Sequence, residues 1–166
     1  AEERRLGRPI GIYPETKHPT YFASIGLSLE EPLVAALYRN GFDDRTHHVL
    51  IQSFEVGNLR KLRRLTDVRL IQLLDSEGSP ADSETSYAEL ATPTGLAGIA
   101  EYAYGIGADK DLLIPPGPDG SLRTPAPIVS DAHDAGLAVH AWTFRAENKF
   151  LPPEFRIGSI AEARGD

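Results

Sequence analysis

A chain of 166 residues, 41% hydrophobic and 25% charged, is one domain's worth of ordinary globular sequence. Its net charge of -7 and pI near 5.2 argue against partners that select basic surfaces, so no nucleic acid and no anionic lipid are expected. Its longest apolar runs fall far short of the roughly 20 residues a transmembrane helix needs, so no membrane insertion is expected. The absence of cysteine excludes disulfides and thiolate metal sites and leaves the compartment open.

The chain begins Ala1-Glu2-Glu3-Arg4-Arg5-Leu6, without the apolar core of a signal peptide, and contains no methionine, so its start reads as internal. The segment from Ile10 to Thr16 reads as a strand. Alternation then puts Tyr13, Glu15 and Lys17 on one face and Ile12 and Pro14 on the other. A carboxylate and an ammonium side by side at a strand end can hold a divalent cation and an anionic oxygen together, or they can form an ordinary salt bridge.

Lys17 to Leu27 reads as loop, and Ser28-Leu29-Glu30-Glu31 as a capping box opening a helix that runs to about Asn40. Leu29, Leu33 and Leu37 supply its core stripe, and Gly41 its C-terminal cap. Asp43-Asp44-Arg45 turns the chain into a strand from Val49 to Phe54. Glu55 to Leu65 is an amphipathic helix whose Leu59, Leu62 and Leu65 recur at three; the interleaved Arg60, Lys61, Arg63 and Arg64 read as a solvated face. Val68 to Leu74 is a strand and Asp75 to Pro93 a long loop.

A helix from Gly95 to Ala103 leads into the glycine-rich strand starting at Tyr104, whose spacing does not fit a dinucleotide fingerprint; its glycines are expected to permit tight packing. Pro115 to Pro127 is a second long loop with a Pro118-Asp119-Gly120 turn. Ile128 to Ala135 is a helix stopped by Gly136, Leu137 to Phe144 is a strand, and Ser159 to Arg164 reads as the opening of another helix. Strand and helix alternate five times with no hairpin signal, which predicts a parallel sheet covered by helices. An open doubly wound sheet and a closed barrel both satisfy that pattern.

The stretch Gly11-Ile12-Tyr13-Pro14-Glu15-Thr16-Lys17 resembles the strand that carries a metal-binding Glu and an active-site Lys in the glycerophosphodiester phosphodiesterases, especially the bacterial periplasmic or secreted type. Val49 to Phe54 resembles the next strand of that family, and Tyr104 to Asp109 and Leu137 to Thr143 resemble two later ones, so the likeness runs from about Ile10 to Arg145. The resemblance implies an α/β fold, a (β/α)8 TIM barrel. Because such barrels take about 250 residues, residues 1–166 are expected to be an incomplete portion with about five βα units. The family's pattern places two strands before Ile10 and one after Asp166.

The activity implied is hydrolysis of glycerophosphodiesters to an alcohol and glycerol 3-phosphate, with a divalent cation, calcium or magnesium, held by carboxylates. In the family two histidines act as general acid and base, on a His-Arg and a His-Asp element that have no match here. By the same resemblance Glu15 is the metal ligand, Lys17 the catalytic cation, and Trp142 the aromatic beside the substrate. His18, in the loop after Lys17, is a candidate substrate contact; its other role is a loop histidine satisfied by backbone. Gln52 shares a face with Phe54, where it can donate to a glycerol hydroxyl or close a buried polar layer.

His133-Asp134 lies in a helical stretch, away from the strands' carboxyl ends, and is structural. His47 and His48 precede their strand as solvated or capping residues, and His140 is a satisfied core histidine. The expected partners are a small-molecule glycerophosphodiester and the remainder of the chain's own barrel, and the family points to a periplasmic or secreted location. Two other readings are a non-catalytic binding domain of the same fold and a barrel glycoside hydrolase using Glu15, which needs a second carboxylate nearby.

Overall fold

The computed structural model describes residue 7, residues 10–42 and residues 48–166. The expected Asp43-Asp44-Arg45 turn and His47 lie outside the described residues. Among these residues a four-stranded sheet is built from β1 (Leu50–Ser53), β2 (Arg69–Leu74), β3 (Gly105–Asp109) and β4 (Ala138–Trp142). The strands lie in chain order and every pairing is parallel. The segment Ile12–Thr16 extends the row beside β1, joined to it by parallel bridges from Ile12 to Val49 and from Glu15 to Gln52.

This order distinguishes the two architectures that the pattern left open. A doubly wound sheet reverses its strand order at a switch point, whereas a barrel wall places each strand beside its predecessor. The row also curves. In a flat sheet the first segment and β4 would stand about 19 Å apart, four spacings of about 4.8 Å, yet the Tyr13 hydroxyl lies 2.8 Å from Nδ1 of His140. The fold is therefore an arc of a (β/α)8 TIM barrel.

The first segment departs from the expected strand in one respect. Its amide and carbonyl groups follow a parallel ladder: Ile12 N–H donates to His48 (2.8 Å), Leu50 N–H to Ile12 (3.2 Å), Gln52 N–H to Pro14 (2.9 Å) and Thr16 N–H to Gln52 (3.1 Å). The rung that would run from residue 14 to the Leu50 carbonyl is absent because proline has no N–H. The ladder thus reduces to two isolated bridges.

On the convex face Val49, Ile51, Leu70, Leu74, Ile106 and Ala108 are buried beneath helices carrying Leu59, Leu62, Leu96, Ile99, Ile128 and Ala132. The concave face carries Tyr13, Gln52, Ile71, Leu73, Gly107, His140 and Trp142. The glycines of β3 serve packing, as expected. A Cβ on Gly107 would stand 2.6 Å from Leu73 Cδ2, and one on Gly105 would stand 2.5 Å from the Ala138 carbonyl oxygen.

The helices are α1 (Pro19–Ser24), α2 (Glu30–Arg39), α3 (Val56–Leu65), α4 (Tyr87–Leu90), α5 (Pro93–Ala100), α6 (Lys110–Leu113) and α7 (Ile128–Asp134). Two of them occupy stretches expected to be loop. In α1 the proline sits at the first helical position, where its fixed φ and missing amide suit a helix start. In α4 Ser86 and Glu89 form a full capping box. Directly after it Thr92 caps α5, with Pro93 next, so that helix starts two residues before Gly95 and ends at Ala100.

The capping box expected at Ser28 does not form. Leu29 holds the N-cap position, and the Ser28 hydroxyl instead donates to Glu30 at 2.6 Å and to Glu31, while accepting from Lys61 at 2.8 Å. Charged partners outcompete a backbone amide for that hydroxyl. The same cluster absorbs one member of the basic face. Lys61 pairs with Glu30 (3.2 Å) and Glu31 (2.9 Å), Arg60 with Glu101 (3.5 Å), and Arg63 with Asp67 (3.2 Å).

The α3 stripe also differs at its end, since Leu65 is exposed and Asn58 takes its place in the buried face. Gly41 and Gly136 end their helices in the left-handed region, at φ 80° and 79°. Ser159–Arg164 is not helical. Its backbone returns over the preceding loop, with Asn148 N–H donating to Ala163 (2.8 Å) and the buried Asn148 side chain donating to Ile157 (2.8 Å) and Ile160 (2.9 Å).

The closeness of β3 and β4 at Gly105 is testable. Gly105→Ala forces a Cβ onto a backbone oxygen and is expected to cost about 1–3 kcal/mol, lowering the melting temperature by roughly 2–10 °C. A melting curve identical to that of the parent sequence would contradict this packing.

Candidate active site

At the carboxyl ends of the first segment, β1 and β2 lies a cavity of about 300 Å³. Barrels of this type build their sites at this end. Glu15, Lys17 and His18 line it, together with Phe54 and Glu55 from the end of β1, Asp75 from the end of β2, and Tyr87 from α4.

Glu15 and Lys17 share the concave face as alternation requires, and Lys17 Nζ stands 3.0 Å from Glu15 Oε1. The Lys17 side chain is 71% exposed and that of Glu15 21%. Such an open pair contributes about 0–1 kcal/mol to stability. His18 enters the mouth from a backbone with φ 52°, the one positive φ at a non-glycine residue among those described. That conformation costs on the order of 1–2 kcal/mol.

Glu55 is buried, and its Oε2 accepts from Thr20 N–H at 2.9 Å and from the Thr20 hydroxyl. This ties α1, and so the His18 loop, to the top of β1. Ser53, also buried, donates its hydroxyl to the Thr16 carbonyl (3.4 Å) and receives Glu55 N–H (3.2 Å). Tyr87 stacks edge-on against Phe54 at 5.9 Å. Burial, followed by the charges of Asp75, Asp82 and Glu55, pushes its phenol up to about 12, so it stays a neutral donor.

The other expected site residues stand apart from this cavity. Gln52 lies on the concave face opposite Glu15, where its Nε2 reaches the Tyr13 carbonyl at 3.4 Å. Trp142 donates its indole N–H to the Gly107 carbonyl at 2.8 Å and meets Phe54 edge-on at 5.7 Å, so Phe54 connects it to the mouth. His140, below Trp142, is half-buried and partnered by Tyr13, whose phenol burial holds well above its ordinary value. His133 and Asp134 lie in α7, as expected.

Glu55 and Asp75 were not singled out from sequence. Glu55 follows β1 by two residues and Asp75 follows β2 directly, at the strand ends where Glu15 also lies, but each also had an adequate local role as a helix start or a loop start. Among the described residues, no three His, Asp or Glu side chains come together so that they could hold a metal ion. Glu15 thus offers one oxygen ligand, and these residues do not compose a cation site by themselves.

Residues 7–159 match the glycerophosphoryl diester phosphodiesterase family. The chain belongs to that family. It is 33% identical over 161 residues to a glycerophosphodiester phosphodiesterase of Arabidopsis thaliana, covering 89% of this chain and 43% of the plant protein. A glycerophosphodiester phosphodiesterase of Treponema pallidum is 30% identical over 164 residues, 87% of this chain and 45% of its own length. One from Haemophilus influenzae is 26% identical, over 92% of this chain and 46% of its own length.

The chain therefore spans a little under half the length of the curated relatives it matches. A crystal structure of a provisionally assigned glycerophosphoryl diester phosphodiesterase of Agrobacterium tumefaciens shares the fold, with a TM-score of 0.50 and 18% identity over 80% of this chain and 45% of that one.

Proposed function

We propose that these residues are the central and C-terminal part of a barrel that hydrolyses glycerophosphodiesters to an alcohol and glycerol 3-phosphate. The family match over residues 7–159 carries this reading. The carboxylate and ammonium 3.0 Å apart at the mouth support it. It also favours a phosphodiesterase over a glycoside hydrolase, which shares the fold but not the family.

In this reading water adds across the bond between phosphorus and the alcohol oxygen, the alcohol leaves with a proton, and glycerol keeps the phosphate. Lys17, exposed at the mouth beside Glu15, meets the phosphoryl oxygens and stabilises the charge that grows on them. His18 and Trp142 border the substrate, and Gln52 keeps one amide N–H for a glycerol hydroxyl. Glu15 supplies one oxygen to a divalent cation, calcium or magnesium, as hard cations prefer; the remaining ligands, and the acid and base histidines, belong to strands outside these residues. The family resemblance extends the proposal to a periplasmic or secreted location.

The direct test is release of glycerol 3-phosphate from glycerophosphocholine by the complete protein, with and without a chelator. No release at any calcium or magnesium concentration overturns the reading. In that protein Glu15→Gln is expected to abolish metal-dependent turnover and weaken cation affinity while the fold survives. Near-parental activity and affinity would remove Glu15 from the site.

Lys17→Met keeps much of the stem and deletes the charge. It is expected to lower kcat by roughly 10²-fold or more, with a small change in melting temperature because the pair is exposed. Intact turnover with reduced stability would make the pair structural. The 166-residue polypeptide alone is expected to be inactive, because a general acid and base must lie within hydrogen-bond reach of the reacting groups. Robust metal-dependent turnover by it would redirect attention to His18 and His140.

A further inference from the structure

Between Glu15 and Lys17 stands Thr16, whose side chain takes the opposite face and enters the layer between sheet and helices. It is 6% exposed. Its hydroxyl donates to Oδ1 of Asn58 on α3 at 2.7 Å, and Asn58 Nδ2 donates to Oε1 of Glu30 on α2 at 2.9 Å. Asn58 and Glu30 are 5% and 4% exposed, so the whole relay is buried. At its far end Glu30 takes further hydrogen bonds from Ser28 (2.6 Å) and Lys61 (3.2 Å).

The relay has one direction. Burial alone would raise the Glu30 carboxyl, but the hydrogen bonds from Ser28, Asn58 and Lys61 outweigh it and keep Glu30 an acceptor. An acceptor there makes Asn58 present its amide N–H₂ to Glu30 and its carbonyl oxygen to Thr16. Thr16 must then donate, which fixes the direction of its O–H bond. Its N–H and carbonyl are held as well, by Gln52 and Ser53. Every polar group of Thr16 is thereby engaged, while the residues on either side pair with each other at the mouth.

We propose that Thr16 and Asn58 are positioning residues, which hold the Glu15 carboxylate and the Lys17 ammonium at the barrel mouth through the buried relay to Glu30. The inference rests on the hydrolase reading given above. The Thr16 hydroxyl bonds away from the mouth, toward Asn58, and so fixes the backbone from which both flanking side chains project. Misplacement of about 1 Å can cost up to 10²-fold in rate.

The test uses the complete protein, with glycerophosphocholine as substrate and saturating calcium or magnesium, well below the melting temperature. Thr16→Val, which deletes the donor and keeps the branched shape, is expected to lower kcat roughly 10- to 100-fold with KM little changed. Thr16→Ser, which restores the hydroxyl, should recover most of the rate. Asn58→Leu should act in the same direction, and the double variant should be no worse than the single ones, as expected for residues acting through one contact.

Parental kcat in folded Thr16→Val, or failure of Thr16→Ser to recover it, overturns the proposal. If the parent protein turns over no substrate, the hydrolase reading fails, and amide hydrogen exchange then tests the relay itself. Thr16→Val should speed exchange at Thr16, Gln52 and Thr20 and leave β2 and β3 unchanged. Unaltered or uniformly faster exchange sinks the inference.

Discussion

The four hydrogen bonds between Ile12–Thr16 and the β1 strand with its flanks set the geometry on which the mouth depends. They fix the register in which Glu15 stands opposite Gln52, and a slip of one residue would send Glu15 and Lys17 into the helix layer and Thr16 into the mouth. The missing rung at Pro14 shortens the ladder but leaves that register unaltered. Hydrogen bonds close the segment on both sides of the proline, and the Thr16 side chain adds a hold perpendicular to the sheet.

The charge balance of the mouth bears on the chemistry proposed for it. Glu15, Glu55 and Asp75 face the same cavity as one ammonium, that of Lys17. Glu55 is largely spent on Thr20, but the cavity as a whole is acidic in a protein of net charge -7. Such a surface repels a phosphodiester unless positive charge is concentrated locally. That is the physical argument for a divalent cation in the proposed function.

Inside the arc the packing is tapered. Gly107 admits Leu73 and Ile71, which a Cβ there would approach to 2.6 and 3.2 Å, and the Trp142 indole bonds the Gly107 carbonyl. The aromatic contacts continue from Trp142 to Phe54 and from Phe54 to Tyr87, linking β4 to the two aromatic residues that line the cavity. Loops that were long and polar in sequence thus become a wall.

Local physics was legible in the sequence. Runs of strand formers and period-three-to-four patterning indicated the four strands, α2, α3, α5 and α7 to within a few residues, and the face shared by Glu15 and Lys17 followed from alternation alone. The short helices α1 and α4 and the Thr92 cap had sequence signals of their own, a proline after a loop and two capping residues, and were passed over because their setting read as loop. Ser28 failed as a cap for the opposite reason, since Lys61, more than thirty positions away in the chain, competed for it.

What only the tertiary structure decided were the relations between distant positions. These are the strand order that makes an arc, the meeting of Tyr13 with His140, the convergence of Glu55 and Asp75 on one cavity, and the relay from Thr16 through Asn58 to Glu30. Periodicity reports which face a residue takes, because it arises within one element. It carries no record of which element lies opposite, because that is settled by closing the sheet into a curve and burying the helices against it.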